Sequence, residues 1–111
     1  MKRVVIESPY AGEVERNVEY ARRALLDSLN RDEAPLASHL LYTQVLDDTV
    51  QKERNLGMSA GLEWLAAAEI HAFYVDYGYT SGMNEAAALS AKCGLKVEFR
   101  RIGKNQNDLA E

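Results

Sequence analysis

Two turns in this chain combine glycine, hydroxyl and aromatic side chains in the way that recognition of an anion and a flat ring requires. Ser8-Pro9-Tyr10-Ala11-Gly12 and Asp76-Tyr77-Gly78-Tyr79-Thr80-Ser81-Gly82-Met83 each follow a short apolar run and lead into a helical pattern. Thr80 or Ser81 is placed to cap the second helix. The amides of Gly82, Met83 and Asn84, backed by the positive end of the helix dipole, then suit an anion, and phosphate is the obvious one. Tyr10, Tyr42, Tyr77 and Tyr79 fall at strand ends or in turns, where a ring can stack on a base while its hydroxyl stays wet. The alternative for each tyrosine is a place on the sheet rim or in an oligomer contact. Ser38 and His39 sit near a strand end on the same edge. Neither His39 nor His71 has a partner at metal-ligand spacing, so both read as hydrogen-bonded structural histidines. The Asp47-Asp48 pair lacks a third oxygen ligand at a recognisable spacing and reads as helix capping. Walker, dinucleotide and nucleophile-elbow fingerprints are absent, and no metal or cofactor is implied.

The elements that must hold these turns follow from the hydrophobic pattern. Arg3 to Ser8 is a β-branched run too short for a helix and is closed by Pro9, which predicts a buried first strand. From Glu13 to Asn30, Val14, Val18, Ala21, Leu25 and Leu29 recur at helical spacing, with Glu13 and Glu15 in the first turn. Leu36 to Leu41 reads as a second strand after Pro35, and Thr43 to Thr49 as a loop. Val50 to Ala68 carries Met58, Leu62, Leu65 and Ala66 on one helical face, with Trp64 beside it as core and Gly57 and Gly61 permitting close packing. Ile70 to Val75 is nearly continuous in apolar residues, as a central parallel strand is. Met83 to Lys92 is Ala-rich and ends at Gly94, a fitting carboxy-terminal cap, and Lys96 to Ile102 alternates like a strand. This βαβαβαβ order predicts an α/β fold with right-handed crossovers and helices on both faces of a mostly parallel sheet of four or five strands. In such a sheet the two turns share one edge and wall one nucleotide-sized crevice.

With 111 residues and 47% hydrophobic content, the chain suits a single domain, expected over residues 1–104, followed by a polar tail at 105–111. A net charge of -4 argues against duplex nucleic acid and for a small ligand or protein partner. The local basic cluster Arg100, Arg101 and Lys104 reads as solvated surface. Cys93 is the only cysteine, so no internal disulfide forms, and it is expected to pack as a small hydrophobe in a reducing compartment. No run has the make-up of a leader or the length to cross a bilayer, so the expectation is a cytoplasmic protein without a membrane partner.

The segments Val5-Ile6-Glu7-Ser8-Pro9-Tyr10, Gly61-Leu62-Glu63-Trp64-Leu65-Ala66-Ala67-Ala68-Glu69 and Ser81-Gly82-Met83 resemble the nucleoside 2-deoxyribosyltransferases and the related deoxynucleotide N-hydrolases. Glu7-Ser8-Pro9-Tyr10 and Ser38-His39-Leu40-Leu41-Tyr42-Thr43-Gln44 are similar to phrases in small, mostly phage-encoded relatives. The resemblance spans nearly the whole chain and implies a flavodoxin-like three-layer sandwich. It also implies a nucleoside or nucleotide ligand, a homo-oligomer whose neighbouring subunit completes the pocket, and cleavage or transfer at an N-glycosidic bond. That chemistry uses two carboxylates, one attacking or stabilising the anomeric carbon and one handling protons. The attacking position of the family falls on Ala86, and Glu85 stands one residue earlier, in the first turn of the helix. The assisting Asp position falls on Gly61, with Glu63 nearby and Asp76 at the end of the central strand. The resemblance thus points to Glu85 and Asp76 for catalysis. Ser8, Pro9, Tyr10, Ser38, His39, Tyr79, Thr80, Ser81, Gly82 and Met83 are left for ligand binding. Without turnover, the same pocket would sequester or sense a nucleotide, or seat a protein partner.

Overall fold

The computed structural model describes residues 1–102, so the expected tail and Lys104 lie outside it. Four strands, β1 (Arg3–Glu7), β2 (Ala34–Leu36), β3 (Ile70–Tyr74) and β4 (Lys96–Arg100), form one all-parallel sheet in the order β2-β1-β3-β4. The helices are α1 (Val14–Asn30), the single turn α2 (Ser38–Leu41), α3 (Gln51–Ala66) and α4 (Ser81–Lys92). This is the flavodoxin-like α/β sandwich. Strand order reverses between β1 and β3, and their carboxyl ends open the crevice where ligands bind in such sheets.

Alternation along the two central strands divides the core. Val4, Ile6, Ile70, Ala72 and Tyr74 pack with Tyr20 and Ala24 of α1 on one face. Phe73 and Val75 pack with Met83, Ala86 and Ala87 of α4 on the other. The buried stripe of α1 is Asn17, Tyr20, Ala21, Ala24 and Ser28, turned from the expected one, so Val14 and Leu29 are exposed. The reason is chemical: Asn17, Tyr20 and Ser28 supply hydrogen bonds to the turn before the helix and to the carboxylates of Asp76 and Glu33 that pure hydrophobicity does not register.

Three further expectations need correction. The second strand is Ala34–Leu36, and Ser38–Leu41, read as its continuation, is helical. Because β2 is an edge strand, Pro35 costs it no ladder bond, so this proline sits inside the strand rather than before it. Arg100 is not solvated: it is 4% exposed and clamps Glu33 through Nη1 at 2.7 Å and Nη2 at 2.8 Å. Finally, α3 contributes nothing to the core. Met58 and Leu62 are 59% and 60% exposed, and Trp64 lies open with its Nε1 donating to the Tyr42 hydroxyl at 2.7 Å.

Candidate functional site

Because α3 stands away from the sheet, a groove of about 740 Å³ opens over the α4 face of β1 and β3, a size that suits a small ligand. Its walls are mostly apolar: Leu46 of the loop before α3, Met58, Leu62 and Leu65 of α3, and Ala86 and Leu89 of α4. At Gly61 a Cβ would lie 3.0 Å from the Ser38 hydroxyl, so glycine there lets α3 pass close to α2.

The floor is polar. Glu7, on the same face of β1 as Val5, accepts from His71 Nε2 at 3.2 Å, and His71 Nδ1 pairs with Ser90 Oγ at 2.7 Å. Beside them, His39 Nε2 pairs with Ser8 Oγ at 2.7 Å, while the buried Nδ1 has no hydrogen-bond partner among the described residues. Burial pushes His39 below its ordinary value of 6.5, against a smaller opposing pull from Glu7, so its ring is neutral at pH 7. That nitrogen is buried, so what His39 presents to the groove is the rest of its neutral ring.

The turn before α1 is held by Asn17, which is buried and donates from Nδ2 to the Tyr10 and Ala11 carbonyls at 3.0 and 3.1 Å. Its Oδ1 accepts from Arg16, whose guanidinium lies 4.1 Å from the Tyr77 ring centroid, and Tyr77 packs edge-on against Tyr20. The two turns are therefore tied together across α1. Asn17→Ala is expected to cost about 1–3 kcal/mol in urea denaturation, because the loss of the buried amide leaves the Tyr10 and Ala11 carbonyls without their donor.

Of the residues singled out from the sequence, Tyr10, Ser38 and His39 line the groove and Ser8 is the buried partner of His39. Tyr79, Thr80, Ser81, Gly82 and Met83 are not among its lining. Thr80 caps α4, its Oγ1 accepting from Met83 N at 3.0 Å; Met83 packs in the core and Tyr79 against Phe99. Glu85 is exposed on α4 outside the lining, whereas its neighbour Ala86 faces in. Asp76 turns to the α1 side, where its carboxylate accepts from the Tyr20 hydroxyl at 2.8 Å and from Ile102 N at 3.0 Å. Asp47 makes an Asx turn with Thr49 rather than capping α3, whose N-cap is Val50. Cys93 lines the groove and is exposed instead of packed. No group of His, Cys, Asp and Glu suited to a metal occurs among the described residues, and no helix among them is long and apolar enough to cross a membrane.

Sequence reasoning missed Glu7, His71 and Ser90 as a set. The available signal was a histidine in an otherwise apolar central strand, since such a buried ring demands partners on both nitrogens.

A family model covers residues 2–100, nearly the entire chain, under the description domain of unknown function, DUF7768. The chain belongs to the DUF7768 family. No curated protein matches this DUF7768 domain. Among solved structures, a 2-deoxyribosyltransferase from the psychrotolerant bacterium Bacillus psychrosaccharolyticus is similar to it with a TM-score of 0.64. The identity is 17%, over 89% of this chain and 72% of the enzyme's chain, a likeness of fold.

Proposed function

We propose that this DUF7768 protein binds a nucleoside in the groove above β1 and β3 and cleaves or transfers its N-glycosidic bond. The observation that carries the reading is the polar floor of Glu7, His39 and His71 set between apolar walls at the strand-order switch. The apolar walls suit a base and the face of a sugar. The carboxylate of Glu7 suits their hydrogen-bonding edges. The fold shared with a 2-deoxyribosyltransferase supports the same ligand class.

The exposed apolar residues of α3, Leu56, Met58, Leu62 and Trp64, support a homo-oligomer in which a second copy narrows the groove. Light scattering would read its mass.

The test is a panel of deoxynucleosides and their 5′-monophosphates, read by thermal denaturation and by chromatography of released base. A ligand at a hundredfold its Kd stabilises the folded state by about 2.7 kcal/mol, so binding shows as a rise in Tm that grows with concentration. Free base in the same tubes marks turnover. Stabilisation without base release favours a nucleotide-sensing module, and the absence of any stabilisation removes the nucleoside reading.

A further inference from the structure

Among the described residues, three carboxylates line the groove: Glu7, Asp48 and Glu53. Glu53 accepts from the backbone N–H of Asp47, and it stands with Asp48 at the start of α3 and in the loop before it. Glu7 alone rises from the sheet. It is also the only one backed by buried side chains, since His71 and Ser90 are 1% and 4% exposed, while 41% of the Glu7 side chain remains open. In the neutral His71 ring, Nε2 carries the hydrogen, because a carboxylate only accepts, and Nδ1 accepts from the Ser90 hydroxyl. A fixed pair thus aims one carboxylate at the groove, an arrangement that preorganises a reacting group. Across from it, the inward-facing position of α4 is the methyl group of Ala86.

Resting on the nucleoside reading above, we propose that Glu7 is the carboxylate that attacks the anomeric carbon, with His71 and Ser90 as positioning residues. A Glu7 oxygen bonds to the anomeric carbon as the glycosidic C–N bond breaks, and the electron pair leaves with the base, which takes a proton from water. Water, or a second base, then bonds to the same carbon. The ester C–O bond breaks, its electron pair restores the Glu7 carboxylate, and the incoming group releases its proton to solvent.

The test compares the wild-type chain with Glu7→Gln, Glu7→Ala and Ser90→Ala, using the deoxynucleoside that raises Tm most. Glu7→Gln is expected to lower base release by more than about a thousandfold while nucleoside stabilisation persists. Glu7→Ala with added azide is expected to regain turnover as a glycosyl azide. A 2-deoxy-2-fluoro nucleoside should leave its sugar on the peptide that contains Glu7, visible by mass spectrometry. Ser90→Ala should lower kcat with KM little changed. Base release by Glu7→Gln at the wild-type rate, sugar on another carboxylate, or wild-type stabilisation without base release overturns the role of Glu7 and leaves nucleoside binding standing. If no nucleoside stabilises the wild-type chain, both fall. Unliganded melting of each variant separates loss of chemistry from loss of fold.

Discussion

Replacing Glu33 by Ala is expected to lower stability by about 3–5 kcal/mol in urea denaturation at pH 7, the size seen when one partner of a buried ion pair is removed. Arg100 is held by the Glu33 fork, by Glu98 through Nε at 3.0 Å, and by the Tyr74 hydroxyl at 3.3 Å. The Tyr74 hydroxyl donates onward to Asp27 at 2.6 Å, and Ser28 donates to Glu33 at 2.8 Å. Without Glu33 the guanidinium stays buried and loses both its fork bonds, and a domain of this size has only about 5–15 kcal/mol in total. Replacing both ends by apolar residues, Glu33→Leu with Arg100→Met, is expected to recover most of the loss, since no charge is then stranded.

The same carboxylate gives the fold an acid-sensitive element. Burial alone would raise the Glu33 carboxyl, but hydrogen bonds from Arg100 and Ser28 outweigh it and hold the group below its ordinary 4.5. Its contribution is fully present above pH 4.5 and is lost as pH falls through the lowered folded value. Glu33→Gln should flatten the stability-against-pH curve in that acid range, and an unchanged slope would reassign the acid sensitivity to another group.

Local pattern sufficed to place β1, α1, β3, α4 and β4 along the chain, because each is a run of helical or extended period, but it did not give which side chains of α1 and β4 are buried. It failed where the deciding partner is remote. Arg100 and Glu33 are 67 residues apart, and only the sheet brings them together, so a basic doublet near the end of the chain carried no sign of burial. Glu7 entered the reading as the residue that cuts short an apolar run. Its meaning comes from the parallel register that sets Val5 beside His71. The α3 face shows a different limit. Periodicity gives an apolar stripe but not what covers it, and here the stripe walls a groove instead of joining the core. At Ser38–Leu41 a short apolar run was open to either strand or helix, and tertiary placement chose the helical turn that brings His39 onto Ser8.

The phosphate expectation drawn from Thr80–Met83 meets a different electrostatic setting in the groove, and a second large effect follows. A nucleoside 5′-monophosphate is expected to bind at least tenfold more weakly than its parent nucleoside. The lining carries Glu7, Asp48 and Glu53 against Arg54, and His39 is held neutral by burial, so the ionised side chains leave an excess of negative charge. One unit of excess charge 10 Å from a phosphate charge, at an effective dielectric of about 20, opposes binding by about 1.7 kcal/mol, and a factor of ten in Kd is about 1.4 kcal/mol. Attraction by the α4 amino terminus offers about 0.3–1 kcal/mol at an exposed site, too little to reverse the sign. Salt is the internal control: with a Debye length near 8 Å at 0.15 M and about 3 Å at 1 M, the gap between the two ligands should narrow as salt rises. Asp48→Asn with Glu53→Gln should narrow it at low salt as well. Tighter binding of the monophosphate, insensitive to these substitutions, would instead put the phosphate on the Ser81 and Gly82 amides. The ligand would then have to reach beyond the groove, around the amino-terminal end of α4.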